Sequence, residues 1–203
     1  MAFFTRYYKK PSLGFGWKLN WIVSFFVSLL LSSSVVFAAT NSISIKQADL
    51  QLVDDFYLLN AEIRIDFDAE IEEAIYKGVP LHFLIEFQVV SPRKYWFDDE
   101  IITTTNRVTL SYHALTKQYL VNRETHQKSF ETLDEAIDEL LQISDLKVFE
   151  KSLTEKDANY KAALLMRLDQ TKLPKAIQVD AIASEKWNIT SQKYEWAFKP
   201  QTK

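Results

Sequence analysis

The 203-residue sequence contains no cysteine and only three glycines. Two of the glycines, Gly14 and Gly16, lie near the N-terminus, so Gly78 is the single glycine in the rest of the chain. Phosphate-binding loops, dinucleotide-binding folds and the nucleophile elbow of hydrolases all need glycine, where backbone approaches a ligand or takes a positive φ. The sequence therefore excludes nucleotide enzymes of these types. The lack of cysteine also excludes disulfides, thiolate zinc sites, iron–sulfur clusters and cysteine nucleophiles.

The charge balance argues against a nucleic-acid partner. Residues 40–203 carry 20 Lys and Arg against 27 Asp and Glu, a formal net charge of −7. Binding to phosphate needs a basic patch, and the longest basic run in this part is the pair Arg93 and Lys94. With 47% hydrophobic and 25% charged residues, the chain has the composition of a folded, soluble domain.

The first 39 residues are typical of an export signal. An uncharged, largely apolar stretch from residue 19 to residue 39 follows four basic residues: Arg6, Lys9, Lys10 and Lys18. Val36 and Ala38 match the small-residue pattern that signal peptidase reads, so residues 1–39 are expected to be cleaved after Ala38 and the rest to be periplasmic. In the alternative, the stretch stays as an inner-membrane anchor facing the periplasm, and membrane contact occurs only through residues 13–39.

Residues 40–203 fit one domain, and alternating hydrophobicity predicts strands along most of it. From Tyr57 to Phe67 apolar side chains occupy every second position, and from residue 60 onward the positions between them are polar: Asn60, Glu62, Arg64 and Asp66. The same pattern predicts strands at 43–52, 57–67, 81–89, 101–112, 118–123, 147–151, 160–168, 177–181 and 193–199. We expect a mainly β fold: a single antiparallel β-sandwich, immunoglobulin-like or similar, with two short helices.

Both predicted helices have recognisable ends. Asp68 is a suitable N-cap for the first, and Gly78 followed by Pro80 is expected to end it. The second begins with the capping-box pair Thr132 and Glu135 and has an apolar face. Both are expected to serve packing.

One acidic segment has the spacing with which a calcium loop begins, at Asp66, Asp68 and Glu70. The sixth position of such a loop requires glycine and the twelfth a bidentate glutamate, but these positions hold Ile71 and Lys77. Helix capping by Asp68 explains the same residues without a ligand. We therefore expect no metal here.

The histidines do not form a convincing catalytic or metal site. Ser111 and His113 share a strand face, but no oxyanion-hole glycine or orienting acid accompanies them. His82 and Glu86 are about 13 Å apart along one strand, too far for one metal ion. A three-histidine site would need His126, placed in a turn, to join the other two. The prediction is no catalytic residue, no cofactor and no metal.

The strongest candidate for a working surface is the aromatic run Tyr95, Trp96 and Phe97. Neighbouring strand residues point to opposite faces, so three adjacent rings cannot all enter one core, and at least one is expected to be exposed. Asp98 and Asp99 follow directly, and an apolar patch with an acidic rim is typical of a protein interface. The alternative is a loop folded over the core.

The sequence resembles the proteobacterial family called domain of unknown function 4390. The resemblance runs through most of residues 40–203 and is carried by KGVPL at 77–81, PRKYWFD at 92–98, LSYHALT at 110–116, LPK at 173–175 and WN at 187–188. It implies a small exported bacterial protein without assigned activity, from a family often encoded beside a membrane sensor kinase of the nitrogen-regulation type. The family supplies no catalytic residues.

We therefore expect a non-catalytic binding or accessory module whose partner is another envelope protein, bound through residues 95–99. Two alternatives remain open: a membrane-tethered accessory of a sensor kinase, and an envelope hydrolase with an unrecognised site. A polar cleft at His113 would favour the hydrolase, whereas an exposed aromatic patch around Trp96 would favour the module.

Overall fold

The computed structural model describes residues 42–200, except Thr125 and Asp157. The predicted export signal, residues 1–39, and the domain boundary after it lie outside the described residues. In the part of the chain that is described, no helix is long and apolar enough to cross a membrane.

The smaller of two antiparallel sheets has three strands, in the order β1-β2-β7. They are β1 (Ser42–Val53), β2 (Phe56–Asp66) and β7 (Ile143–Glu150). The alternation in β2 buries Tyr57, Leu59 and Ile63 on one face, as its sequence predicts.

The larger sheet has six strands, in the order β6-β5-β4-β3-β8-β9. Its strands are β3 (Leu81–Ser91), β4 (Asp99–His113), β5 (Gln118–Arg123), β6 (His126–Phe130), β8 (Tyr160–Leu168) and β9 (Tyr194–Phe198). Neighbours within each sheet pair antiparallel.

Aromatic rings from both sheets meet in the core. Tyr57 of β2 stacks on Phe149 of β7, with ring centroids 4.7 Å apart, and meets Phe198 of β9 edge-on at 5.0 Å. Phe87 of β3 lies 6.1 Å from Phe149. Because these contacts join the inner faces of the two sheets, the prediction of a mainly β fold built from antiparallel sheets is confirmed.

Both predicted helices are present with the expected caps. Helix α1 (Ala69–Tyr76) begins at Asp68, whose Oδ1 accepts hydrogen bonds from the backbone N–H groups of Glu70 and Ile71. Just beyond its C-terminus Gly78 has a φ of +88°, which other residues adopt only at a cost. Helix α2 (Leu133–Leu141) begins with the Thr132–Glu135 capping box.

Two local predictions were wrong. Residues 177–181, expected as a strand, lie in a third helix, α3 (Lys175–Ala183). Pro174 starts this helix, and its carbonyl oxygen accepts hydrogen bonds from the N–H groups of Ile177 and Gln178. An apolar run this short fits the spacing of a strand as well as that of a helix.

His126, expected in a turn, begins edge strand β6, whose exposed polar residues show no alternation. Short 3₁₀ turns occupy Lys151–Leu153, Gln170–Lys172 and Glu185–Trp187.

Candidate functional site

The connection between β3 and β4, residues 92–98, forms an exposed loop that we call the aromatic tip. Each of its seven residues is exposed. The exposed fractions are 87% for Tyr95, 75% for Trp96 and 85% for Phe97. The rings therefore do not fold back over the core, and the loop presents all three to solvent.

The rings make few contacts with the rest of the protein. Trp96 and Phe97 meet edge-on with their centroids 6.4 Å apart. The Nζ of Lys94 lies 5.4 Å from the centroid of the Tyr95 ring, within the range of a cation–π contact. The tip thus displays three largely solvated rings with one ammonium group beside them.

The two acids of the tip region are engaged with cations. The guanidinium of Arg93 forms an ion pair with the carboxylate of Asp99. Asp98 accepts a hydrogen bond from the backbone N–H of Arg93 at 3.2 Å, and its other oxygen lies 4.0 Å from the Nζ of Lys161 in β8. Asp98 and Asp99 thereby close the loop across its base, and their charges are balanced locally.

A second feature, which sequence reasoning missed, is a cleft of about 520 Å³ where β5 and β6 face the end of α2 and the start of β7. Arg123 of β5 lies in its wall, and its Nη2 donates to the carbonyl oxygens of Glu139 and Gln142, both at 2.8 Å. Burial lowers the pKa of this guanidinium. Arginine at a helix C-terminus satisfies carbonyls that have no partner within the helix, so Arg123 ties α2 to the large sheet.

No sequence signal marks this contact in advance, since 16 or more residues separate Arg123 from the carbonyls that it binds. The cleft also contains the ion pair of Lys128 with Glu139, at 2.9 Å. Arg123 and Lys128 therefore both attach α2 to the large sheet.

His82 and His113 each contact the hydroxyl of a threonine. His82 Nδ1 lies 2.9 Å from Thr109 Oγ1 on the adjacent strand β4, and burial lowers the pKa of this histidine. His113 Nδ1 lies 3.0 Å from Thr116 Oγ1 in the turn after β4. Within the described residues, no group of three or more His, Asp or Glu side chains is arranged to hold a metal ion.

The other paired candidates are also separated. Glu86, which shares a strand face with His82, forms an ion pair with Arg167 of β8 at 2.7 Å. Asp68, the central acid of the calcium-like segment, caps α1 as described above. His82, His113, Glu86 and Asp68 thus have structural partners of their own, whereas the three rings of the aromatic tip are exposed together.

Comparison with known proteins relates this chain to a family. Neither a curated protein nor a solved structure matches it at a significant level. A family model described as "Domain of unknown function (DUF4390)" matches residues 40–197, well over half of the chain. The match includes every strand of both sheets except the last residue of β9, and it includes the aromatic tip. The chain belongs to the DUF4390 family.

Proposed function

We propose that this protein is a non-catalytic binding or accessory module of the cell envelope and that it acts through the aromatic tip. The observation that carries the proposal is the exposure of Tyr95, Trp96 and Phe97 by three quarters or more. Leaving a large apolar side chain in water forgoes about 1.5–3 kcal/mol that its burial would contribute. Clustered exposed rings are therefore typical of a surface that is covered by something else.

The way the loop is held supports a binding role. Arg93, Asp98, Asp99 and Lys161 form ion pairs across its base, so the loop backbone is braced while the rings stay solvated. A braced loop loses less conformational entropy when it binds than a mobile one.

The chemistry of the other polar residues supports a module more than an enzyme. His113 is the base that a hydrolase of this sequence would use, and its ring Nδ1 bonds to Thr116 in an exposed turn. His82 bonds to Thr109 within the sheet. In a nucleophile–base–acid triad a carboxylate binds Nδ1 and orients the base, whereas Nδ1 of each of these two rings pairs with a threonine hydroxyl.

The proposed location follows from the N-terminal sequence. Basic residues, an apolar stretch and an A-x-A-like end favour export with cleavage after Ala38. N-terminal sequencing of the protein purified from cells tests this. We expect a mature chain that begins at residue 39. A chain that begins upstream of residue 30 and stays with the membrane after carbonate washing would contradict cleavage and favour a membrane-tethered accessory.

Photo-crosslinking in cells tests the working surface. A photoreactive residue is placed at Trp96, and the matched control is Leu115, which is 91% exposed in the turn at the other end of β4. About 45 Å of strand separates the two sites. We expect position 96 to capture a cellular component, protein or lipid, and position 115 to capture none; equal or absent capture at both would contradict the proposal.

A further inference from the structure

This inference rests on the proposed function and names what the aromatic tip contacts. We propose that the tip binds the interfacial region of a phospholipid bilayer with zwitterionic headgroups, where Tyr95, Trp96 and Phe97 enter the boundary between headgroups and acyl chains. The proposal departs from the expectation drawn from sequence, which limited membrane contact to residues 13–39.

The area of the tip decides against a stable protein interface. An aromatic side chain buries about 150–250 Å², so three rings cover about 450–750 Å². A standard protein interface buries about 800 Å² on each partner. Little apolar area is added by the residues that flank the rings within the tip, which are charged or proline: Pro92, Arg93, Lys94 and Asp98. A bilayer interface needs no complementary shape, and binding to it increases with the apolar area that is inserted.

The arrangement of the rings suits a fluid interface. They stand on a loop that projects from the end of the large sheet, and each is exposed by at least 75%. A protein partner would need a groove shaped to take all three exposed rings, whereas lipid adapts to them. Tyr and Trp each join an apolar ring to a polar group, and for this reason both are enriched where a membrane meets water.

The charges of the tip select neutral headgroups. The tip itself carries Arg93 and Lys94 against Asp98, and Asp99 at the start of β4 pairs with Arg93, so the charges of the tip and of its base together sum to zero. The rest of residues 40–203 accounts for the whole formal charge of −7. An anionic surface would therefore repel the domain, and the tip with its base has no net positive charge to offset this repulsion. Lys94, beside the Tyr95 ring, can extend toward a headgroup phosphate as that ring enters.

A single labelled cysteine tests the contact on the full chain, which contains no native cysteine. Trp96→Cys and, as the matched control, Leu115→Cys each receive an environment-sensitive fluorophore and are mixed with phosphatidylcholine vesicles. The apolar stretch at 19–39 can hold both proteins on the vesicles, so the comparison between positions isolates the tip. We expect emission from position 96 to rise and shift to shorter wavelength, and emission from position 115 to stay unchanged.

A second variant separates ring insertion from proximity. Tyr95→Ser and Phe97→Ser in the Trp96→Cys chain remove the two remaining rings and are expected to abolish the response. Because all three sites are exposed, the thermal transition should match that of the parent, which shows that the variant folds. A response that persists without the rings would overturn the proposal.

The remaining outcomes distinguish binding to a bilayer from binding to a protein partner. A label at position 96 that responds no more than the label at position 115 overturns the bilayer assignment. If crosslinking from position 96 then captures a protein, the proposed function stands with a protein partner; if it captures nothing, both proposals fall. A stronger response when phosphatidylglycerol replaces a third of the lipid overturns the assignment to neutral headgroups.

Discussion

Two buried tyrosines, Tyr57 and Tyr160, should respond in opposite directions to the same substitution. Both pack against Phe198, with ring centroids at 5.0 Å and 6.2 Å. Within the described part of the chain, the hydroxyl of Tyr57 is buried without a hydrogen-bond partner. The hydroxyl of Tyr160 accepts a hydrogen bond from the backbone N–H of Glu155 at 2.9 Å.

The magnitudes follow from the cost of an unsatisfied hydroxyl. A buried hydroxyl without a partner costs about 1–3 kcal/mol in proteins, so Tyr57→Phe should raise the free energy of unfolding by about 1–2 kcal/mol while the ring contacts with Phe149 and Phe198 persist. Tyr160→Phe loses a satisfied hydrogen bond and should lower the free energy of unfolding by about 0.5–1.5 kcal/mol.

Urea denaturation at constant m value measures both changes, and the thermal midpoint should move by about 2–4 °C for each kcal/mol. The opposite signs make the pair its own control, since loss of the hydroxyl volume is common to both. A lost hydrogen bond costs about 1 kcal/mol. If Tyr57→Phe lowers the free energy of unfolding by about that much or more, the Tyr57 hydroxyl has a partner such as an ordered water, and the reasoning fails.

Three further predictions concern Arg123, Trp96 and His82. Arg123→Met removes the hydrogen bonds to the last carbonyls of α2, so urea unfolding should show a loss of about 2 kcal/mol, and Lys at this position should recover part of it; an unchanged midpoint would show that α2 does not depend on this contact. Trp96→Ala should change the free energy of unfolding by less than about 0.5 kcal/mol, because the ring is exposed; a loss of about 3 kcal/mol would place it in the core. Burial holds the pKa of His82 below 6.5, so the unfolded chain binds this proton more tightly than the folded chain. The stability that depends on neutral His82 should therefore be present above the ordinary histidine pKa of 6.5 and decline as the pH falls below it. His82→Gln should make this decline of stability with falling pH shallower, and an identical slope in both proteins would assign it to other groups.

Local patterns identified most of the strands and the ends of both predicted helices. The alternation from Tyr57 to Phe67 predicts strand β2 and the face that it buries, because side chains of a strand point to opposite sides with a period of two. Asp68 and the Thr132–Glu135 pair mark helix starts, because a cap is made by residues within one turn of each other. These predictions depend on interactions that span only a few residues.

The two wrong predictions occurred where the local pattern was weak. Residues 177–181 hold three apolar residues at alternate positions, but so short a run does not separate the two periods, and Pro174 starts a helix there. Strand β6 has almost no buried side chain and forms through its pairing with β5. Its structure comes from the backbone of a neighbour, which leaves no hydrophobic signature in its own residues.

For the aromatic tip, the sequence by itself determined that Tyr95, Trp96 and Phe97 cannot all enter one core, since adjacent side chains point to opposite sides of a strand. Only the tertiary structure decided that all three are exposed and that Asp98 is placed near Lys161 of β8. The reason is physical: burial periodicity and capping arise between residues close in sequence, whereas ion pairing across strands and the exposure of a loop depend on which segments meet after the chain has closed. The sequence therefore specified the composition of the tip, and the packing of the two sheets determined its presentation to solvent.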